Sequence, residues 1–285
     1  MRTEDEMFEL IIHTAEKDER IRAVILSGSR TNPHVKKDRF QDFDIIYLVN
    51  HIDSFIVDEN WIDIFGERMI MQLPEAKVIP PPMRDGRFTY LMQFTDGNRI
   101  DLTLIPISLK EKLLPTDSLS QLLLDKDGIL ESLPPPSDHD YWVRKPSEQA
   151  FLDICNEFWW ICLNISKGLC RNEFTYTMYM YEQINRHVLN QMMEWYIGIQ
   201  NHFSVSVGNS GKHMPNYLTN EEWELYLSTY TDAKVDHIWR SLFNMCQLFR
   251  QTASHVARYF NYTYPDTADK NVTFYLHKLK KESSS

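Results

Sequence analysis

Up to about residue 140 the apolar residues of this chain follow one spacing, and beyond it they follow another; that switch sharply limits the available folds. Before it, short strand-like runs cover 21–26, a β-branched stretch, and 43–49, 67–73, 87–94 and 99–105. Their length and composition predict strands, with a helix over 7–17 ahead of them. Thr95-Asp96-Gly97-Asn98 joins the last two runs, and Asp-Gly between strand-like segments signals a hairpin. The sheet should therefore be partly antiparallel. Beyond the switch, Phe151, Ile154, Cys155, Phe158, Cys162, Ile165 and Leu169 form a helical stripe, with Ser147 placed to cap it. Long helical patterns follow over 174–198 and 234–259, and Thr219 with Glu222 has capping-box spacing. The linker expected over 126–146 contains Pro134-Pro135-Pro136, a run that resists both helix and central strand. The expectation is an α+β chain: a mixed sheet with helices over 1–135, then a helical bundle over 136–285. The polar end, 278–285, is expected to fray.

Charge narrows the functional classes. The formal net charge is −10, whereas a protein that grips nucleic acid needs an excess of phosphate-neutralising Lys and Arg. No stretch approaches the roughly 18 apolar residues of a membrane span. The acidic start, Met1-Arg-Thr-Glu-Asp-Glu6, lacks the apolar core of a secretion signal. Cys155, Cys162, Cys170 and Cys246 include no C-x-x-C pair and read as free thiols, which fits a cytoplasmic location.

The chemistry-bearing segment is Ser27-Gly28-Ser29-Arg30, directly after a predicted strand, followed by Asp42-Phe43-Asp44 at the start of the next. Glycine permits a sharp turn and a close approach by phosphate; Ser29 adds a hydroxyl and Arg30 a cation. Residues two apart on a strand share a face, so Asp42 and Asp44 can converge on one or two divalent cations. Asp101 sits in the otherwise apolar run Arg99-Ile-Asp-Leu-Thr-Leu-Ile105, where a lone charge needs a partner. A metal shared with Asp42 and Asp44 would supply one. Either short motif alone is more often an ordinary turn or a solvated strand end; their combination is what carries the signal.

That combination resembles the nucleotidyltransferase superfamily, whose signature is a G-S turn, a D-x-D pair and a third carboxylate on a later strand. Ser27-Gly-Ser-Arg-Thr-Asn-Pro33, Gln41-Asp-Phe-Asp-Ile45, Tyr141-Trp142 with Lys145-Pro-Ser147, Cys155-Asn-Glu-Phe-Trp-Trp160, Lys167-Gly168 and Phe203-Ser-Val-Ser-Val-Gly208 are together similar to the aminoglycoside 6-adenylyltransferases, the streptomycin-modifying enzymes. The resemblance implies a nucleotidyltransferase catalytic domain over 1–135 and a helical substrate-binding domain over 136–285. It implies Asp42, Asp44 and Asp101 as catalytic carboxylates holding Mg²⁺, two ions by the usual arrangement, with Asp101 either general base or metal ligand only. ATP would place its phosphates at Gly28, Ser29 and Arg30, with Lys145, Lys167 and Lys212 as further candidate contacts. AMP would pass to the 6-hydroxyl of streptomycin with release of pyrophosphate, conferring antibiotic resistance. Streptomycin carries two guanidinium groups, so an acidic, aromatic stripe is wanted. Asp153, Glu157, Trp160 and Asn164 lie along one face of the 147–170 helix, although the same pattern also describes a solvated helix face. The expected partners are ATP and a cationic aminoglycoside, with no nucleic acid or membrane and a monomeric enzyme. An RNA or protein acceptor, or a catalytically silent nucleotide-binding regulator, are the other classes considered.

Overall fold

A computed structural model describes residues 1–58, 60–114 and 117–283. The chain divides into two compact units, Met1–Asp140 and Tyr141–Ser285. In the first, helix α1 (Glu4–Lys17) precedes strands β1 (Ile21–Ser27), β2 (Phe43–Val49), β3 (Arg68–Gln72), β4 (Phe88–Phe94), β5 (Arg99–Pro106) and β6 (Ser120–Asp125). The short helices α2 (Asp53–Ile56) and α3 (Lys110–Leu113) lie in the connections. The sheet order is β3-β4-β5-β2-β1-β6. Among the described residues β2 and β5 pair in parallel and the other neighbouring strands are antiparallel, so the sheet is mixed as expected. The Asp-Gly turn joins β4 to β5, with Gly97 at φ 89°.

Alternation along the strands gives the sheet two unlike faces. One is packed by α1: Met7, Ile11 and Ala15 meet Val24, Leu26, Phe43, Ile45, Tyr47, Leu102 and Leu104 in one core. The Tyr47 hydroxyl, wholly buried there, donates to the Ile11 carbonyl at 2.6 Å. The opposite face carries a smaller core of Ala23, Ile25, Ile46, Leu48 and Ile105, bordered by Leu109, Leu114, Ile129 and Leu130. Asp44 and Asp101 share the parity of this second face.

The second unit holds α4 (Glu148–Cys170), α5 (Phe174–Met178), α6 (Arg186–Gln200), α7 (Asn220–Leu227), α8 (Val235–Phe260) and α9 (Asp266–Ser283). Ser147 caps α4 by accepting from the Ala150 amide, and Thr219 with Glu222 forms the capping box of α7. Phe158 of α4 stacks on Phe249 of α8 with ring centroids 3.7 Å apart. Cys155, Cys162 and Cys246 are buried thiols in this core, and Cys170 is exposed. No described helix is long and apolar enough to cross a membrane.

Three elements differ from the sequence expectation. The single helix expected over 174–198 is split by a π-helical stretch, Tyr179–Asn185. This wide turn carries Tyr181 and Asn185 inward, and the Tyr181 hydroxyl donates to the Thr229 carbonyl at 2.6 Å. Strand β6 lies just ahead of the proline run, where no strand was expected; pairing with β1 forms it. The expected frayed end is instead the last part of α9, helical through Ser283, with Ser284 and Ser285 outside the described residues.

Candidate active site

The turn Gly28–Arg30 leaves β1 with Gly28 at φ 72°, a conformation that disfavours any side chain. A second constraint acts at the same residue. A Cβ added to Gly28 would lie 2.2 Å from Asp44 Oδ2. The glycine therefore both makes the turn and admits the carboxylate against the backbone. The Gly28 amide donates to the Leu119 carbonyl at 3.0 Å, tying the turn to the approach to β6.

Sheet register assembles the carboxylates. Asp44 stands opposite Asp101 in the parallel β2–β5 pair and opposite Ser27 in the antiparallel β1–β2 pair. Asp42 is two residues before Asp44, at the mouth of β2. The three predicted acids lie close enough to act on one another electrostatically at one edge of the second sheet face. Arg99, which sequence reasoning missed, stands among them. Its guanidinium forks onto Asp101 through two bonds of 2.8 Å and reaches Asp42 Oδ2 at 3.5 Å. Its sequence signal was only its place on the same strand face as Asp101, two residues away.

The electrostatics follow from this crowding. Burial, then the neighbouring Asp101 and Asp42 carboxylates, push the Asp44 carboxyl up to about 6. Asp42 is also raised, chiefly by burial, with Arg99 opposing the shift. Like charges held together in a poorly hydrated place disfavour ionisation unless a cation is supplied. Among the described residues no group of three His, Cys, Asp or Glu is already set in metal-binding geometry. The donor set nevertheless fits a hard divalent cation: three carboxylates on one face, with negative charge that Arg99 only partly offsets.

Arg30 is placed differently from a phosphate-facing cation. It is buried, donates to the Asp42 and Gln41 carbonyls at 3.0 and 2.6 Å, and pairs with Glu4 at 3.3 Å. Its guanidinium also lies 3.7 Å over the Phe43 ring. In this structure it braces the loop that delivers Asp42. Ser29 is half-buried at the turn, and its carbonyl accepts from the Gln41 side chain at 3.2 Å.

The same sheet face carries a cleft of about 570 Å³ whose walls include Ile25, Ser120, Leu130, Ser132, His139 and Asp140. Ser120 pairs with Ser27, which in turn pairs with Asp44, so cleft and carboxylates are joined across adjacent strands.

The remaining candidates lie in the helical unit. Asp153 and Trp160 line a groove of about 420 Å³ between α4 and α9, with Gln149, Asn156, Leu163 and Val272. Trp160 is 61% exposed, whereas its neighbour Trp159 is 2% exposed. Gln149 donates to Asp153 at 2.7 Å. Glu157 is exposed and Asn164 half-buried on the same helix. Lys145, Lys167 and Lys212 are all exposed, with the Lys145 ammonium 5.5 Å over the Phe203 ring. Lys212 follows a loop in which Gly208 and Gly211 both have positive φ.

Comparison with known proteins agrees over nearly the whole chain. The family described as streptomycin adenylyltransferase matches residues 1–279. An aminoglycoside 6-adenylyltransferase of Campylobacter jejuni is 42% identical, covering 99% of this chain and 97% of that protein. One from Bacillus subtilis is also 42% identical, over 96% of this chain and 97% of its own length. One from Staphylococcus aureus is 36% identical over 95% of this chain and 96% of its own length. The crystal structure of an aminoglycoside 6-adenyltransferase from Bacillus subtilis aligns with a TM-score of 0.48 at 38% identity, covering 98% of this chain and 99% of that one. The chain belongs to the streptomycin adenylyltransferase family and is a nucleotidyltransferase.

Proposed function

We propose that this enzyme transfers AMP from Mg-ATP to the 6-hydroxyl of streptomycin, releasing pyrophosphate and inactivating the drug. The observation that carries the reading is the convergence of Asp42, Asp44 and Asp101 on one sheet face beside the Gly28 turn. Adenylyl transfer to aminoglycosides is the activity named for the full-length relatives, and the Asp42, Asp44 and Asp101 carboxylates of this chain suit the metal chemistry that such a transfer would use.

Asp42, Asp44 and Asp101 would hold the divalent cations. When bound, these supply electrostatic stabilisation of the charge that develops on the transferring phosphoryl group. Gly28 and Ser29 place backbone and hydroxyl against the phosphates, while Arg30 fixes the loop from behind. The acceptor oxygen forms the new bond to the α-phosphorus, and the bond to pyrophosphate breaks. Asp101 takes the proton of the attacking hydroxyl. The cleft walled by Ile25, Ser120 and Leu130 is the candidate seat for the nucleoside, joined through Ser27 to Asp44.

For the acceptor, Asp153 offers a carboxylate to a guanidinium, and the exposed face of Trp160 offers a stacking surface in the same groove. Glu157 and Asn164 extend that stripe, and Lys145, Lys167 and Lys212 offer exposed ammonium groups to phosphate. A monomer acting without nucleic acid fits the −10 charge. The decisive test is pyrophosphate release with ATP and Mg²⁺, offering streptomycin, a protein acceptor or RNA in parallel. Release with streptomycin alone is the expected outcome. Release with RNA or protein but not streptomycin refutes the acceptor assignment, and no release with any acceptor favours a silent regulator.

A further inference from the structure

Arg99 has no role in the scheme above, yet it makes the strongest polar contacts at the carboxylates. Two parallel N–H···O bonds of 2.8 Å bind it to Asp101, and a third approach of 3.5 Å reaches Asp42. A fork of this kind is specific to guanidinium and engages both oxygens of the carboxylate it holds. Those are the oxygens a divalent cation would need from Asp101. The contact is also open to water, since the Arg99 side chain keeps 40% of its exposure, so it can be exchanged without burying a charge. Asp44, facing Asp101 across the strand pair, is outside the fork.

We propose that Arg99 is a resident counter-cation, a positioning residue that holds Asp101 and Asp42 while no metal is bound and competes with the divalent cation for them. The inference rests on the reading of the trio as a metal site. Its consequence is a threshold: metal binds well only when its gain exceeds the loss of the Arg99 fork. The guanidinium it frees then lies beside the place where nucleotide phosphates arrive. Affinity for metal alone is thereby kept low, and metal and nucleotide bind more tightly together than apart.

The test is Mn²⁺ binding to the intact enzyme without nucleotide, read by electron paramagnetic resonance of free Mn²⁺ and by thermal denaturation. Arg99→Gln should bind Mn²⁺ about 3- to 10-fold more tightly than wild type, because the competing arrangement is gone. It should melt lower without metal and gain more from Mn²⁺ than wild type does. Arg99→Lys, which cannot fork, should fall between the two. Unchanged or weaker Mn²⁺ affinity in a folded Arg99→Gln enzyme overturns the proposal, and is what a merely structural arginine would give. If that variant does not fold, the wild-type Arg99 Nε–H resonance decides: it should shift and exchange faster on Mg²⁺ addition, and an unmoved resonance overturns the idea. Asp42→Asn separates this from the underlying reading. If it binds Mn²⁺ as well as wild type does, the metal site itself is misplaced.

Discussion

At Gly28, backbone conformation and the Asp44 carboxylate compete for the same space. The positive φ alone makes a side chain unfavourable there, and the Asp44 oxygen 2.2 Å from a notional Cβ makes it worse. Gly28→Ala should therefore cost about 1–3 kcal/mol of stability through strain and cut kcat/KM far more than its drop in Tm accounts for. Near-normal kcat/KM in that variant would remove the turn from the site. Asp44 makes the opposite trade. Its native carboxyl is raised to about 6, so the native state binds that proton more tightly than the unfolded chain does. The penalty is fully present above about pH 6 and disappears as pH falls toward an unfolded value of about 4. Asp44→Asn should abolish turnover while stabilising the metal-free protein at pH 7 by about 1–2 kcal/mol, discounted for nearby solvent. The variant should also lose the rise in stability on acidification from pH 6 to 4, which denaturant melts at both pH values would show. The sequence exposed the acids because an Asp in a strand run is conspicuous. It hid the partners, since nothing local says that Arg99 turns to Asp101 or that Arg30 turns inward to carbonyls.

Elements were legible where one period dominated. The strands of the first unit, the hairpin at Asp96-Gly97, the Ser147 cap and the long helix over 235–260 all follow from local pattern and chemistry. Strand β6 was not, because Ser-Gln-Leu-Leu-Leu-Asp has no helical or strand alternation of its own and is ordered by β1. Helix α9 was hidden because its apolar contacts are few, Leu276 with Val272 and Leu279, and the rest of its docking is polar. Asp269, 4% exposed, accepts two bonds from Arg250 at 2.5 and 2.6 Å and others from Tyr264 and Thr273. Burial works against ionisation there, but the Arg250 and Tyr264 hydrogen bonds prevail and hold Asp269 below its ordinary value. A depressed carboxylate stabilises the fold above its unfolded value, near 4, and that contribution vanishes as pH falls through the native one. Asp269→Asn should then cost about 2–3 kcal/mol at pH 7, reduced from the fully buried case because Arg250 is partly exposed. The gap from wild type should close toward pH 2, and an equal gap at both pH values contradicts the assignment. The cleft between β1 and the 129–134 segment makes a separate prediction. Leu130→Trp should fill part of it and raise the KM for ATP about tenfold, leaving Mn²⁺ binding unchanged, whereas an unaltered KM would place the nucleoside elsewhere.

Over the whole molecule, the switch in apolar period near residue 140 corresponds to the boundary between two compact units, Met1–Asp140 and Tyr141–Ser285. On one face of the sheet unit, strand register sets Asp44 beside Asp101, and Asp42 stands just ahead of β2. The helical unit has its own stacked aromatic core and, at its surface, a groove with an exposed tryptophan beside a carboxylate. Net charge belongs to this scale too: −10 suits a cationic acceptor better than a polyanionic one. The proposed adenylyl transfer depends on the carboxylate trio. The direct measurement is transfer of label from ATP carrying a radioactive α-phosphate to streptomycin, with wild type and Asp42→Asn compared at matched folding by circular dichroism. Labelled streptomycin with wild type, and at least about a thousandfold less with the variant, is the predicted result. Equal labelling by both enzymes would contradict it.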